Sequence, residues 1–221
     1  MTMTATYPAG GRRFAITILP AEPEPSAGDE ANHRIANSLQ LLSAMISIQA
    51  REVHDPAGLA ALDVTRRRIA AIAGVHRQLY QAGHTGSVDL GAYLEQLGGD
   101  LWDASATATI GRRILVDADP VTVPAEDATA IGITVSELVT NALKYAYEEG
   151  EAGDVRINLR ARPGGGYVLA VEDRGRGLAT EVHGTGLGAR LVHMMAARLG
   201  ATCTYQDACP GTRIVLAVGA D

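Results

Sequence analysis

Two hydrophobic periods divide this chain. From about residue 27 to 82 apolar side chains recur at three- and four-residue spacing, and beyond that helical stretches alternate with short β-like runs. Ile35, Leu39, Leu42 and Ile46 form the first stripe, which predicts a helix packing on other helices and running to about Arg51. Ser26 and Asp29 suit its start as caps. His54-Asp55-Pro56 breaks the pattern, with Asp55 suited to an N-cap and Pro56 to the first position of a second helix. In that helix Leu59, Leu62, Ile69, Ile72, His76 and Leu79 make a heptad-like seam. His76 reads there as a packed core histidine. Arg66-Arg67-Arg68 reads as a solvated helix face, or as a basic patch for an acidic or phosphorylated partner.

Two helices joined by a short loop form an antiparallel hairpin, and one hairpin cannot cover its own seam on both sides. The pattern therefore predicts a homodimer through residues 27 to about 82, built as a four-helix bundle. After the Gly83–Ser87 breaker, Val88 to about Ala104 reads as a helix with Leu90, Tyr93, Leu94, Leu97 and Leu101 inward. Arg113–Asp117 and Pro120–Val123 read as short strands, and Ala125–Tyr147 as a long helix. Val155–Leu159 and Tyr167–Glu172 read as strands, Leu187–Leu199 as a helix ended by Gly200, and Cys203–Tyr205 with Arg213–Val218 as a final hairpin. The expected fold class is α+β, with a helical hairpin followed by a two-layer α/β sandwich whose helices cover one face of a mixed sheet. The expected domains are a tail or linker over 1–25, the hairpin over 26–86 and the sandwich over 87–221. The tail combines a β-like run, Arg13–Leu19, with the Pro-rich stretch Pro20–Pro25, and is expected to be a linker or an edge strand, not a sensor domain.

Composition narrows the function. The 47% hydrophobic content of 221 residues supplies real cores, and a net charge of -6 with one Phe and one Trp argues against nucleic-acid binding. No run of about eighteen apolar residues exists to insert in a membrane. Arg12-Arg13 before Phe14–Leu19 makes too short a core for an export signal, so the expected location is the cytoplasm. Cys203 and Cys209 are then expected to stay as thiols.

Chemistry concentrates at four places. His33 sits off the apolar stripe of the first helix, with Glu30 three residues before it and Asn37 four after, placed to orient or deprotonate the ring. Glu137, Asn141 and Lys144 or Tyr145 share one face of the long helix, and hard oxygens beside a cation suit a magnesium-bound polyphosphate. Asp173, with Gly175 and Gly177 behind it, ends an apolar strand. A carboxylate there accepts from the exocyclic amine of adenine, where guanine presents an oxygen. Gly184-Thr185-Gly186-Leu187-Gly188 opens a helix and points free amides at an anion, in neither the P-loop nor the dinucleotide pattern.

The order and spacing of these elements resemble a known family. Glu137/Asn141, Asp173/Gly175/Gly177 and Gly184/Gly186/Gly188 are similar to the N, G1 and G2 boxes of the GHKL (Bergerat) ATP-binding fold, and Pro210-Gly211-Thr212 matches its closing motif. Glu30, His33-Arg34, Asn37, Leu39-Gln40, Gln49-Ala50-Arg51, Asp55-Pro56 and Val75-His76 to Leu79-Tyr80 resemble the dimerisation and phosphoacceptor domain of the second HisKA-type class of sensor histidine kinases. The resemblance covers about residue 28 to the end. It implies that Asn141 holds Mg2+, Glu137 positions a water or ligand beside it, Lys144 contacts phosphate, Asp173 reads adenine and Gly184 to Gly188 wrap the triphosphate. It implies that His33 attacks the γ-phosphoryl of ATP and passes the group to an aspartate on a response-regulator receiver domain, with a separate sensor protein as a candidate partner. Arg34 stands where the commonest histidine kinases carry an acid, so the base is open between Glu30 and Asn37. The HWE class, with its N-box histidine and Trp-x-Glu motif, fits less well. Rival readings are a non-catalytic phosphotransfer or scaffold protein with a vestigial ATP domain, and a GHKL ATPase or serine kinase, which would leave His33 unexplained.

Overall fold

The computed structural model describes residues 2–5, 14–17, 27–81, 86–105, 111–148, 150–177 and 187–219. Near the start, β1 (Thr2–Ala5) and β2 (Phe14–Thr17) pair antiparallel. β2 falls inside the β-like run expected there, β1 had no counterpart in the sequence reading, and the Pro-rich stretch with Ser26 lies outside the described residues.

α1 (Ala27–Gln49) and α2 (Pro56–Gln81) form the expected hairpin. Pro56 opens α2 with no N–H to leave unpaired, and Asp55 Oδ2 accepts from the Gly58 N–H at 2.8 Å, satisfying one donor of the helix start. Along α1, Ala36 is buried and Leu39, Ser43 and Ile46 are partly covered, while Ile35 and Leu42 of the predicted stripe stay exposed. α2 is more deeply engaged. Its second half buries Ala71, Ala73 and Val75, and Val75 belongs to the same hydrophobic core as the sandwich that follows. The arginine run departs from the solvated face expected of it, because α2 packs on α4, the long helix described below. Arg67 is only 8% exposed, and Arg66 and Arg67 both pair with Asp63 on the preceding turn.

Val88 also departs from expectation. It lies in a short strand, β3 (Ser87–Asp89), paired antiparallel with β5 (Thr122–Pro124), and Asp89 Oδ1 then accepts from the Ala92 N–H at 3.1 Å to start α3 (Leu90–Ser105). All five α3 residues expected to face inward are buried. The main sheet has the order β4 (Arg112–Ala118), β6 (Gly153–Ala161), β7 (Tyr167–Asp173), β9 (Thr212–Val218), β8 (Thr202–Asp207). β4 runs parallel to β6 and the remaining pairs are antiparallel, so the sheet is mixed.

Strand alternation sets the two layers. Val155, Ile157, Leu159, Leu169, Val171 and Leu216 turn into one core with α3, α4 (Ala125–Tyr145) and α5 (Leu187–Arg198). The opposite face carries cross-strand charge pairs, Arg113 with Asp154 at 2.9 Å and Arg213 with Glu172 at 3.4 Å, so it can stay in water. α5 closes on Gly200 in the left-handed region (φ +60), where the Ala201 N–H reaches the Ala196 carbonyl at 2.9 Å. Among the described residues no helix is long and apolar enough to cross a membrane.

Tyr93 ties the hairpin to the sandwich. It is buried on α3, its hydroxyl donates to the Ala71 carbonyl on α2 at 3.0 Å, and its ring rests against Gly74 of α2 and Gly132 of α4. A Cβ at Gly132 would run into the Tyr93 hydroxyl and ring. Gly132→Ala is therefore expected to cost about 1–3 kcal/mol by overpacking, and Tyr93→Phe about 1 kcal/mol by removing the hydroxyl's hydrogen bond to the Ala71 carbonyl. Urea denaturation of the full chain measures both, and an unchanged midpoint for Gly132→Ala would show that the ring does not sit there.

Candidate functional site

Helix α4 buries twelve of its 21 residues, and the buried polar residues among them sort into two kinds. Thr134 and Ser136 spend their hydroxyls on carbonyls one turn back, Ala130 at 2.8 Å and Gly132 at 2.7 Å, and need no further partner. Glu137 is different. It is 3% exposed, and its Oε1 is buried without a hydrogen-bond partner among the described residues. Burying a carboxylate this way is costly unless a cation or ligand compensates. Among the described residues, the cation within ion-pair reach is Arg68 of α2, whose Nε lies 4.0 Å from Oε1.

Asn141 follows Glu137 by one turn, and both border the start of α5. A Cβ built on Gly188 would stand 3.4 Å from Glu137 Oε2 and 3.6 Å from Asn141 Nδ2, so a glycine keeps that space open. Lys144, a further turn along, is exposed and places Nζ 3.5 Å from Asp63 on α2. Burial pushes the Asp63 carboxyl up, but the charges of Arg67, Lys144 and Arg66 and the Arg66 hydrogen bond outweigh it and hold the group below its usual range. Tyr145 is exposed. The structure thus brings Glu137, Asn141 and Gly188 together and leaves Tyr145 aside. Glu137 Oε2 and the Asn141 amide border the space that Gly188 leaves open, and a carboxylate oxygen beside an amide fits a hard cation such as Mg2+. No cluster of three or more His, Cys, Asp or Glu exists among the described residues, so the donors suit an ion that keeps waters and phosphate oxygens in its shell.

Beyond the C-terminal end of α4, Asp173 closes β7 at 7% exposure. Its Oδ1 accepts from the Gly175 N–H at 3.0 Å and the Thr212 N–H at 3.2 Å, while Oδ2 makes no hydrogen bond among the described residues. Burial pushes its carboxyl up from the usual range, the two N–H donors act against that shift, and the Glu172 charge adds to it. Thr212 therefore contributes through its backbone. The glycines here answer to crowding: a Cβ on Gly175 would meet the Ala146 carbonyl, which also accepts from the Arg176 N–H at 2.8 Å. Gly211 (φ +106) lies equally close to the Asp173 carbonyl, and Gly177 turns with φ +79.

Two residues that sequence reasoning missed hold this corner. Arg112 is buried and donates to the carbonyls of Leu143 at 2.5 Å, Glu148 at 2.6 Å and Glu151 at 3.1 Å, with its guanidinium 5.4 Å from the Tyr147 ring centroid. Tyr147 in turn donates to the Asp154 carbonyl at 2.7 Å and accepts from the Arg174 N–H at 3.0 Å. The end of α4 is thereby tied to the strand end that carries Asp173. A signal was available, since Arg112 is in phase with the inward Ile114 and Val116 of its strand.

His33 and Glu30 lie on α1, and their side chains are outside the described residues; Asn37, one turn on from His33, is exposed. Gly184, Thr185 and Gly186 are also outside, and Leu187 and Gly188 are the first two residues of α5. α1 packs on α2 and α2 on α4, so the helix of His33 and the helix of Glu137 and Asn141 are joined through α2.

Comparison with known proteins agrees with this layout. Residues 30–105 match the histidine kinase family HisKA_2, and residues 126–220 match the histidine kinase-, DNA gyrase B-, and HSP90-like ATPase family. Blue-light-activated histidine kinase 2 of Erythrobacter litoralis is 31% identical over 190 residues, covering 83% of this chain and 54% of the relative. The sensor histidine kinase PdtaS of Mycobacterium tuberculosis is 28% identical over 197 residues, covering 86% and 38%. This chain therefore spans about half or less of those relatives. The solved histidine kinase domain of the Erythrobacter litoralis EL346 blue-light-activated histidine kinase superposes with a TM-score of 0.66 at 26% identity, covering 87% of this chain and 94% of that one. A helical hairpin matching one family, followed by a sandwich matching the other, makes this chain a member of the HisKA_2-type sensor histidine kinases with a GHKL ATP-binding domain.

Proposed function

We propose that this protein is an ATP-dependent histidine kinase that phosphorylates its own His33 and passes the phosphoryl group to an aspartate of a response-regulator receiver domain. The observation that carries this reading is a buried Glu137 carboxylate, one oxygen of which has no hydrogen bond among the described residues, standing with Asn141 at the mouth of α5 on the helix whose C-terminal end meets the Asp173 turn. From Glu137 to Ala146 the helix rises roughly 14 Å, a span suited to an extended nucleoside triphosphate. Asp173 Oδ2 takes the adenine amine, Lys144 exchanges Asp63 for phosphate oxygens, and Gly184 to Gly188 with the α5 amides surround the triphosphate. Asn141 would hold Mg2+, which when bound would neutralise phosphate charge, and Glu137 would position a water or ligand beside it.

His33 attacks through its unprotonated ring nitrogen. The N–P bond forms as the bond from phosphorus to the bridging oxygen breaks, and ADP leaves. The proton on the other ring nitrogen passes to Glu30 or solvent, and Asn37, which is no base, orients the ring. A relay with a vestigial ATP domain has no need of a carboxylate kept buried at such cost, which favours the kinase.

The chain divides into a tail over 1–25, a hairpin over 26–86 and an ATP-binding domain over 87–221. Dimerisation is supported by the uncovered apolar stripe of α1, where Ile35 is 42%, Leu42 47% and Met45 50% exposed. A second copy laid against it completes a four-helix bundle. Input from a separate sensor protein remains part of the reading.

Three outcomes test these assignments. With γ-labelled ATP and Mg2+ the wild type should gain an acid-labile label that His33→Ala and Asn141→Ala both lose; a label that survives His33→Ala would move the phosphoacceptor elsewhere. Asp173→Asn should weaken ATP binding by about tenfold to a hundredfold, the value of one charged hydrogen bond, with helix content unchanged by circular dichroism. Unchanged calorimetric affinity would remove Asp173 from the site. The full chain should sediment as a dimer that Leu42→Asp with Met45→Asp converts to a monomer, and a monomeric wild type would overturn the bundle.

A further inference from the structure

Helices α2 and α4 cross-match their charges in antiparallel order: Asp63 meets Lys144 at 3.5 Å, and Arg68 meets Glu137 at 4.0 Å. Asp63 also holds Arg66 and Arg67 of its own helix, so this end of α2 is pinned against α4. Among the described residues Arg68 is the one cation within ion-pair reach of Glu137. Lys144 is engaged by Asp63, and Gly188 of α5 faces the Glu137 carboxylate without a side chain. Both partners also keep unused capacity, since Arg68 Nε and Glu137 Oε1 are buried without a hydrogen-bond partner among the described residues. A buried carboxylate on a three-bond side chain keeps one orientation only if a fixed counter-charge holds it.

We propose that Arg68, a residue of the hairpin helix α2, is a positioning residue for the nucleotide site, holding the Glu137 carboxylate in place across the α2–α4 interface. This rests on the nucleotide site proposed above. The hairpin then supplies one wall of the site as well as the phosphoacceptor. Arg68 acts through Glu137 and not on ATP itself, so its loss falls on turnover and not on nucleotide affinity.

A double-mutant cycle in the full chain tests this, with R68Q, R68K, E137Q and R68Q/E137Q assayed for initial rates of acid-labile labelling over a range of Mg-ATP. R68Q should lower kcat about tenfold while KM stays within about twofold, R68K should recover most of the rate, and the double variant should be no slower than E137Q. A multiplicative double variant, an unchanged kcat in R68Q, or R68K no better than R68Q would overturn the proposal, the last by reducing Arg68 to a docking contact. The same proteins are melted without nucleotide. If the wild type takes no label, the kinase reading fails, and the melts alone decide Arg68: a loss of Tm in the double variant smaller than the sum of the singles supports the pairing, and an additive loss overturns it.

Discussion

A buried arginine closes the end of α4, and the site depends on it. The last carbonyls of any helix lack partners, and here Arg112 gathers one of them together with two from the loop that follows. That grip fixes where the chain leaves the helix, and so where the Ala146 carbonyl stands. Ala146 then receives the Arg176 N–H and leaves room at residue 175 for glycine alone, which brings the Gly175 N–H onto Asp173. Tyr147, under the same guanidinium, holds Arg174 by its backbone. The orientation of one carboxylate at a strand end is thus set by a cation on another strand, through a chain of backbone contacts.

α4 connects this corner to the other half of the site. Its apolar residues meet the sheet, its small residue at 132 admits Tyr93, and its polar side from Glu137 to Lys144 is divided between α2 and α5. Few positions on such a helix are free to vary without touching either the core or the site. α2 serves two masters in the same way: it packs on α1 along the hairpin and lends Val75 to the core of the sandwich.

Much of this layout could be read from the chain, for identifiable reasons. The α3 stripe was readable because that helix buries one side, and the start of α2 because an Asp before a Pro has few other uses. Asp173 and its glycines could be read because a strand that ends in Asp-x-Gly needs a turn there. What escaped were residues whose surroundings come from distant segments. Arg66 to Arg68 look solvated until α4 is placed beside them, and the same contact buries Glu137 more deeply than its place among the polar residues of α4 suggests. Arg112 was passed over as one of two adjacent arginines, although strand alternation turns it inward and Arg113 outward. Val88 fits a helical pattern as well as a strand, and only its pairing with Val123 decides.

The seat of Tyr93 has a mechanical consequence. Its hydroxyl has found the Ala71 carbonyl, and its ring fits only where residues 74 and 132 have no side chain. Turning α2 about its axis by one residue, about 100°, would replace Gly74 at that contact with a bulkier neighbour and separate two buried polar groups at once. Intermediate angles would satisfy neither the ring nor the hydroxyl. α2 therefore rests against the sandwich as a shaft rests in a detent, with one preferred angle and a barrier on either side, and any twist reaching it from α1 is resisted up to a threshold instead of being followed in proportion.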